Sequence, residues 1–479
     1  MIIELVTDAQ AYFNDMAEEI RLFFGVVEVS KDAVNADLRL NISLTPERKA
    51  KGRLMPAGIS CEIEVSPDGG DPLERKRQEK RALKLAAYTL LRGISEVETP
   101  WGSLTGIRPT KLYRELERRH GTDGAERQFR EVFGVSEPKL ALAREICAVQ
   151  GPAVSSAKPD SLDVYIGIPY CKSRCLYCSF GAEVAKRDGT LDAYVAALIE
   201  DICAGADIAR QGGFRLRAMY MGGGTPTVLS AEQLDRVLSA AIRAYGGFGT
   251  ELTVEAGRPD TITREKLEVI KAHGAQRVCV NPQTMNDVTL ERIGRFHSSA
   301  AIEEAYALVR AVGIANINMD IIAGLPGENV PMFQNTLERV KALRPENLTV
   351  HTLAIKRSSR LKERLDEYPL PPAKDVEAML ELGELTAREM GMRPYYMYRQ
   401  KYMQGNLENV GYAKPDAECL YNIDIMEETV SIMAHGAGAM SKRVFPAENR
   451  VERIPNPKDV PTYKNKLPQL FAAKRQLFV

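Results

Sequence analysis

The sequence has few cysteines, no long apolar run and no excess of charge of either sign. Eight cysteines in 479 residues are too few for a disulfide framework, and no apolar run approaches the roughly 18 residues of a membrane span. Lys plus Arg and Asp plus Glu each total 64, so net charge provides no general attraction to nucleic acid or membranes. The first residues lack the basic start of a signal peptide. We therefore expect a cytoplasmic globular protein with neither nucleic-acid nor membrane partners.

The sequence pattern of the N-terminal third predicts an α+β domain over residues 1–155. Leu38–Leu44 and Cys61–Val65 alternate between apolar and polar residues, as do antiparallel strands with one buried face. Helical patterns follow from about Leu73 to Gln150. The segment Gly151–Asp160 contains two prolines and two serines, and this composition predicts a linker to the next domain.

Residues 161–356 alternate short apolar runs with amphipathic stretches, which is typical of parallel strands joined by helices. We expect an α/β fold, a partial (β/α)6 barrel whose functional residues gather where the strands end. A helix after Pro371 and an irregular, Tyr-rich region are expected in a C-terminal α+β extension on the substrate side, residues 357–479. The six predicted strands are Val164–Ile168, Ala218–Met221, Leu252–Glu255, Arg277–Asn281, Ile317–Ile322 and Leu348–Leu353.

Three cysteines follow the first predicted barrel strand with the spacing C-x3-C-x2-C, at Cys171, Cys175 and Cys178. Thiolates at this spacing can bind three irons of a four-iron cluster, whereas a structural zinc ion requires a fourth ligand. The next cysteine is Cys203, in a predicted amphipathic helix. The motif favours a catalytic cluster with one open position, and a zinc site with a distant fourth ligand is the alternative.

With this triad the sequence resembles the radical S-adenosylmethionine (SAM) superfamily. The resemblance implies a 4Fe-4S cluster whose open iron binds SAM and whose electron cleaves SAM to a 5′-deoxyadenosyl radical. It also implies a SAM pocket at the strand ends, with Arg295 suited to the SAM carboxylate and Asp320 to the ribose hydroxyls. The expected pocket residues are Tyr165, Gly222, Gly223, Gly224, Thr225, Glu255, Gln283, Arg295, Asp320 and Ala323.

Over nearly the whole chain, the motifs and their order resemble the oxygen-independent coproporphyrinogen III oxidase group, in its coproporphyrinogen dehydrogenase branch. The resemblance implies an oxidoreductase of heme biosynthesis that converts two propionates of coproporphyrinogen III to vinyl groups. Its implied partners are a tetrapyrrole substrate and an electron donor such as flavodoxin or ferredoxin. Further motifs that carry the resemblance are Trp101–Pro109, Val254–Asp260, Tyr396–Lys401 and Gly411–Pro415.

Three positions depart from the patterns of the relatives. Phe180 and Gly167 stand where the established oxidases have a fourth cysteine and a histidine, and Tyr421 stands where the related heme chaperones have a histidine. Two alternatives to the oxidase therefore stay open: a heme carrier, and a radical SAM enzyme for another substrate. His435 could ligate heme iron or simply occupy a turn.

We predict that the substrate is positioned by Tyr396, Arg399 and Lys401, because they combine a flat aromatic surface with cations. Such groups suit a planar macrocycle that carries carboxylates. The edge of a packed strand is the alternative interpretation of the same residues.

Overall fold

The chain divides into two compact units, Met1–Arg144 and Glu145–Val479. The structure is a computed structural model, and it describes residues 1–479 except 26, 34, 68–69, 180–181, 187–188, 357 and 401–402. No helix in the described part of the chain is both long and apolar enough to span a bilayer.

The first unit is a mixed five-stranded sheet with helices, as predicted. Its strand order is β2-β1-β3-β4-β5, in which β1 runs parallel to β2 and β3 and the other pairs are antiparallel. Alternate residues of β4 are buried against the helices because successive side chains of a strand point to opposite faces. The elements are β1 Ile2–Val6, α1 Phe13–Phe24, β2 Glu28–Ser30, β3 Leu38–Leu44, β4 Lys49–Met55, β5 Ile59–Glu64, α2 Pro72–Arg92 and α3 Pro109–Arg127.

The second unit is built on an eleven-stranded sheet in the order β14-β15-β13-β12-β11-β10-β9-β6-β16-β17-β18. Strands β16, β6 and β9 to β13 are parallel to one another, whereas β16 pairs antiparallel with β17 and β13 pairs antiparallel with β15; all six predicted barrel strands are confirmed. The strands are β6 Ser161–Ile168, β7 Tyr170–Cys171, β8 Glu183–Val184, β9 Arg215–Gly223, β10 Glu251–Gly257, β11 Arg277–Val280, β12 Asn316–Ala323, β13 Asn347–Thr352, β14 Arg393–Tyr398, β15 Asn409–Ala413, β16 Ser431–His435, β17 Met440–Phe445 and β18 Arg450–Pro455.

Helices connect the parallel strands, so each strand of the predicted barrel ends at the same edge of the sheet. Helix α6 begins with a capping box at Ser230: the Ser230 hydroxyl accepts the Gln233 backbone N–H, and the Gln233 side chain accepts the Ser230 N–H. The helices are α4 Glu137–Ser156, α5 Thr190–Gln211, α6 Ala231–Tyr245, α7 Arg264–Ala272, α8 Asp287–Arg292, α9 Ser299–Val312, α10 Val330–Leu343, α11 Arg360–Glu363, α12 Ala373–Glu389, α13 Leu420–Glu427, α14 Val460–Asn465 and α15 Leu467–Phe478.

The predicted linker Gly151–Asp160 is wrong in its first half, where α4 continues to Ser156. Arg217 on β9 explains the continuation. Its guanidinium donates to the carbonyl of Ala153 at 2.6 Å and to the hydroxyl of Ser156 at 3.0 Å. The bond to the Ala153 carbonyl satisfies an acceptor that a helix end leaves without a partner. A contact from a distant strand therefore stabilises helical structure in a segment whose composition favours a linker.

The expectation of an irregular region after α12 is also wrong. Strands β14 and β15 extend one edge of the large sheet, and β16 pairs in parallel with β6 on the other side. Residues after 356 therefore complete the sheet at both ends. The predicted boundary between a barrel domain and a C-terminal domain at 356/357 stays a prediction.

Candidate functional site

The three motif cysteines lie in the loop that follows β6. Strand β7 pairs Cys171 with Val184 of β8. Farther along the loop, the Ser173 hydroxyl donates to the carbonyl of Gly294 at 3.0 Å, and the Leu176 N–H donates to the carbonyl of Ile293 at 2.9 Å. The segment after α8 therefore fixes the cysteine loop over the ends of the strands.

The glycines after β9 allow the backbone to approach this loop closely. The N–H of Gly224 donates to the carbonyl of Ile168 at 2.7 Å, and the Thr225 hydroxyl lies 3.4 Å from the sulfur of Cys171. A Cβ atom on Gly224 would lie 2.5 Å from the Tyr170 carbonyl oxygen and 3.0 Å from the Cys171 sulfur. A side chain there would push the strand away from the cysteine, which is a physical reason for glycine at this position.

Arg295 reaches from the segment after α8 towards the cysteine loop. It is 6% exposed, and its Nη1 donates to the carbonyl of Asn281 at 2.5 Å. Burial alone would lower the pKa of Arg295, but Tyr177 and Cys175 beside it raise that pKa above its ordinary value. Its Nε has no hydrogen-bond partner among the described residues, so one donor remains for a ligand.

Glu255, near the end of β10, is a carboxyl group of the site whose pKa is raised. Its Oε1 accepts a hydrogen bond from the Tyr220 hydroxyl at 2.6 Å. Burial, reinforced by the negative charge of Asp320, raises the pKa of Glu255 to about 7 even though the Tyr220 bond lowers it. A carboxyl group with this pKa changes charge near neutral pH, so its ionisation depends on whether a cation is bound beside it.

Asp320 on β12 is held in the charged form by polar neighbours. Burial raises its pKa, but hydrogen bonding from His351 and Asn318 outweighs burial and leaves the pKa below its ordinary value. Asn318 Nδ2 donates to Asp320 at 2.8 Å, and His351 Nε2 lies 3.7 Å from the other carboxylate oxygen. The Gln283 N–H donates to the Asp320 carbonyl at 2.9 Å, while Ala323, the last residue of β12, accepts the Leu353 N–H at 3.0 Å.

Aromatic side chains that sequence reasoning did not select lie beside the predicted Tyr165. Tyr220 stacks on Tyr421 with ring centres 4.6 Å apart, and Tyr165 stacks on both rings at 6.3 and 6.1 Å. Tyr220 stands two residues before Gly222 on β9, so strand periodicity could have indicated it. Tyr421 comes from α13, about 200 residues later in the chain, and no local signal could have placed it here.

The residues present fit a cluster and SAM by three observations. The cysteines offer three sulfur ligands, and no three His, Cys, Asp or Glu side chains of the described residues converge as ligands of a single metal ion; a four-iron cluster instead spreads its ligands over separate irons. Burial raises the pKa of the Cys171 thiol, so a bound metal is needed to hold a thiolate. The Nε of Arg295, which has no hydrogen-bond partner among the described residues, leaves a donor beside the loop.

The predicted substrate residues fall in different settings. Tyr396 is buried on β14, with its hydroxyl 3.3 Å from that of Thr349, and Arg399 donates to the carbonyl of Asn406 at 2.9 Å. Lys401 and Phe180 lie outside the described residues. Gly167 faces a crowded position, because a Cβ atom there would lie 3.2 Å from the Tyr165 ring.

His435 is neither in a turn nor available to heme. It ends β16, is fully buried, and its Nε2 lies 2.7 Å from the Tyr245 hydroxyl. Its Nδ1 lies 3.2 Å from Asp201, which also accepts a hydrogen bond from Lys474 at 2.6 Å. Since His435 is fully buried, with Nε2 beside the Tyr245 hydroxyl and the ring next to the Asp201–Lys474 ion pair, it has a structural role.

Comparison with known proteins identifies related sequences and one related fold. The family model of the radical SAM superfamily matches residues 165–340. The oxygen-independent coproporphyrinogen-III oxidase-like protein HemZ of Bacillus subtilis is 37% identical over 95% of this chain and 91% of its own length. The heme chaperone HemW of Haemophilus influenzae is 28% identical over 60% of this chain and 71% of its own. The solved structure of coproporphyrinogen III oxidase HemN from Escherichia coli, a radical SAM enzyme, superposes with a TM-score of 0.54 at 22% identity, covering 68% of this chain and 73% of that one.

Proposed function

Because this chain belongs to the radical SAM superfamily and within it to the family of HemZ, its cofactors are a 4Fe-4S cluster and SAM, and we propose that it converts propionate side chains of coproporphyrinogen III to vinyl groups. Each conversion removes one hydrogen atom from the β-carbon of the propionate, then one electron, and releases carbon dioxide. When bound, the cluster and SAM supply the hydrogen-abstracting chemistry.

The observation that carries this proposal is the convergence at the strand ends of the cysteine loop, Arg295, Glu255 and Asp320. In our proposal Cys171, Cys175 and Cys178 hold the cluster. Arg295 binds the carboxylate of SAM through its remaining donor. Asp320, kept ionised by Asn318 and His351, accepts hydrogen bonds from the ribose hydroxyls.

Glu255 then faces the cationic part of SAM. A neighbouring ammonium or sulfonium favours the ionised carboxylate, so binding is expected to release the proton that Glu255 carries near pH 7. Gly222 provides the room: a Cβ atom at this position would lie 2.9 Å from the Glu255 carboxylate. Tyr220 holds the carboxyl group in place through its 2.6 Å hydrogen bond.

Substrate positioning is proposed for the strand β14 and the loop after it. Tyr396 and Tyr398 stack with ring centres 6.4 Å apart, and the Tyr398 hydroxyl lies 3.1 Å from His351 Nδ1. Through His351, which also lies 3.7 Å from Asp320, these rings are connected to the Asp320 side of the proposed SAM pocket. Arg399 and Lys401 would bind the substrate carboxylates, which must fix the reacting β-carbon close to the abstracting carbon.

The position of Tyr421 argues against a heme carrier as the main function. This residue replaces the histidine of the chaperone motif and is buried in the stack with Tyr220. Burial raises the pKa of Tyr421 well above its ordinary value, and because a tyrosine binds iron as phenolate, this hydroxyl does not suit heme iron. Because the chain is similar to HemW, heme binding should be measured alongside turnover.

The proposal is tested by one anaerobic assay with reduced cluster, SAM and coproporphyrinogen III. We expect 5′-deoxyadenosine to form together with products lighter by the mass of one or two formic acid equivalents, that is, carbon dioxide plus two hydrogens for each vinyl group. Arg399→Gln should reduce turnover by about tenfold or more while leaving cluster content and SAM binding unchanged. SAM cleavage that does not respond to the porphyrinogen, with no loss of mass, would refute the substrate assignment.

A further inference from the structure

Arg258 follows β10 in the motif Val254–Asp260, of which the proposed function uses only Glu255. Its side chain is almost completely buried, at 3% exposure. Burying a guanidinium is costly unless its donors are paired. The partners that Arg258 finds therefore indicate which parts of the molecule it holds together.

One end of the Arg258 guanidinium is bonded to the cysteine loop. Its Nη1 donates to the Ser173 hydroxyl at 2.7 Å and to the Ser173 carbonyl at 3.2 Å. Ser173 stands between Cys171 and Cys175 in the sequence, and its hydroxyl donates in turn to the carbonyl of Gly294 at 3.0 Å. Arg258 thus fixes the backbone between two of the proposed cluster ligands.

The other edge of the guanidinium is paired with Asp260. Nε and Nη2 of Arg258 lie 3.1 and 3.2 Å from the two carboxylate oxygens, which is the bidentate geometry of an arginine–carboxylate pair. Asp260 also lies 3.3 Å from Lys172, whose side chain is 56% exposed. The cation of the buried pair therefore contacts the loop, and its counterion lies on a different edge of the guanidinium from the one bonded to Ser173.

The charge of Arg258 acts on the first motif cysteine. Burial raises the pKa of the Cys171 thiol most, and the cations Arg258 and Arg295 oppose that effect. A cation that favours a thiolate also favours negative charge added to a metal centre held by that thiolate. Because Arg258 is buried, solvent and salt screen its charge much less than they screen the charge of an exposed residue.

We propose, on the basis of the cluster ligands assigned in the proposed function, that Arg258 raises the reduction potential of the cluster while it holds the cysteine loop. Reduction moves one electron from a one-electron reductant to the cluster and adds one negative charge there, with no bond formed or broken. The buried cation stabilises the reduced form more than the oxidised form, and the carboxylate of Asp260 opposes this effect. Arg258 is in this sense a positioning residue whose charge also matters.

The test is an anaerobic redox titration of the reconstituted cluster, followed by the electron paramagnetic resonance signal of the reduced form. In Arg258→Gln the ratio of reduced to oxidised cluster at a fixed potential should fall about tenfold, equivalent to a midpoint lower by about 59 mV for one electron. In Asp260→Asn the midpoint should instead rise. Although burial raises the pKa of Asp260, its bonds to Arg258 hold that pKa below its ordinary value, so the substitution removes a negative charge at neutral pH.

Shifts of opposite sign distinguish an electrostatic role from damage to the loop. The matched control is Arg339→Gln, which removes a guanidinium 2.7 Å from Glu303 between the outer helices α10 and α9 and should leave the midpoint unchanged. An unchanged midpoint in Arg258→Gln, or shifts of the same sign in both variants, would overturn the proposal. Should Arg258→Gln retain no cluster, Asp260→Asn decides: a raised midpoint supports the proposal and any other result overturns it.

Iron and sulfide are measured before each titration. A wild type without a cluster would refute the proposed ligands, whereas a wild-type cluster whose midpoint ignores Arg258 would refute only the role of this arginine. Since no porphyrinogen is added, the result is independent of the substrate.

Discussion

Glu255 shows how one side chain can link cofactor binding to pH. Its side chain is half-buried, its carboxyl group accepts a hydrogen bond from the Tyr220 hydroxyl and lies near the negative charge of Asp320, and its pKa is about 7. A bound cation lowers the pKa of an adjacent carboxyl group. Below pH 7, SAM must therefore displace a proton from this residue.

The first prediction concerns that proton. SAM affinity should rise with pH up to about pH 7, by at most tenfold per pH unit, and level off above it, because Glu255 then starts ionised. In Glu255→Gln the affinity should be weaker and nearly independent of pH across this range. Isothermal titration in buffers of different ionisation enthalpy measures both the affinity and the proton released. A wild-type affinity that does not change between pH 6 and pH 8, values chosen as about one unit either side of that pKa, would contradict the role of Glu255.

The second prediction concerns the cysteines. Serine at any one of Cys171, Cys175 or Cys178 should abolish the cluster, since an alkoxide seldom replaces a thiolate on iron and no further cysteine lies nearby in the sequence. Iron and sulfide are measured after anaerobic reconstitution. Cys203→Ser is the matched control, because Cys203 is exposed on α5, and should retain the full cluster. Stoichiometric zinc without iron in the wild type would restore the zinc alternative.

At the scale of elements, Arg217 links three parts of the second unit. From β9 it donates to Asp424 of α13 at 2.7 Å, and it caps the end of α4 through Ala153 and Ser156. Both partners of the ion pair are nearly inaccessible to water. The pair thus holds α13, and with it Tyr421, against the strands of the proposed site.

The third prediction follows from this burial. Arg217→Ala should destabilise the second unit by about 3–5 kcal/mol, because Asp424 would remain buried without its cation. The paired change Arg217→Leu with Asp424→Leu should cost less than the single change. Thermal unfolding followed by circular dichroism measures both. Arg236→Ala on α6 removes an exposed partner 3.8 Å from Asp192 and should change stability by less than about 1 kcal/mol. Equal losses from Arg217→Ala and Arg236→Ala would refute the argument.

At the scale of the whole molecule, the first unit has a core of its own. The buried cluster extends from Ile3 to Leu91 and is formed by the five-stranded sheet together with α1 and α2. The buried Lys84 finds its partners within the same unit, since its ammonium contacts Glu19 at 3.1 Å and the carbonyl of Thr105. The apolar side chains of this core and the two partners named for Lys84 all belong to the first unit.

The fourth prediction is that the first unit, residues 1–144, folds alone. A chain of this length with a closed core should unfold cooperatively in urea, with a free energy of about 5 kcal/mol or more. Circular dichroism and fluorescence should report the same midpoint. Ile20→Ala, which removes a fully buried side chain, serves as the control and should lower that free energy by about 2–5 kcal/mol. A gradual transition without a shared midpoint would show that this unit needs the rest of the chain.

Features that depend on neighbouring residues in the chain could be predicted from the sequence alone. Strand periodicity located the six parallel strands, because side chains alternate between faces over a few residues. Three other features also depend only on residues close together in the chain: the spacing of the three cysteines, Gly222–Thr225 and the capping box at Ser230. The residues that follow the parallel strands meet at one edge of the sheet, because parallel strands joined by helices end on the same side.

Features that depend on contacts between distant segments are seen only in the folded structure. It brought Tyr421 onto Tyr220, set Arg295 beside Cys175, and used Arg217 to extend α4 through a segment whose composition favours a linker. It also added β14 to β18 to both edges of the parallel strands, where sequence indicated an irregular region. The physical reason is the same in each case: burial and hydrogen bonding between residues far apart in the chain outweigh local preferences, and no window of sequence contains both partners.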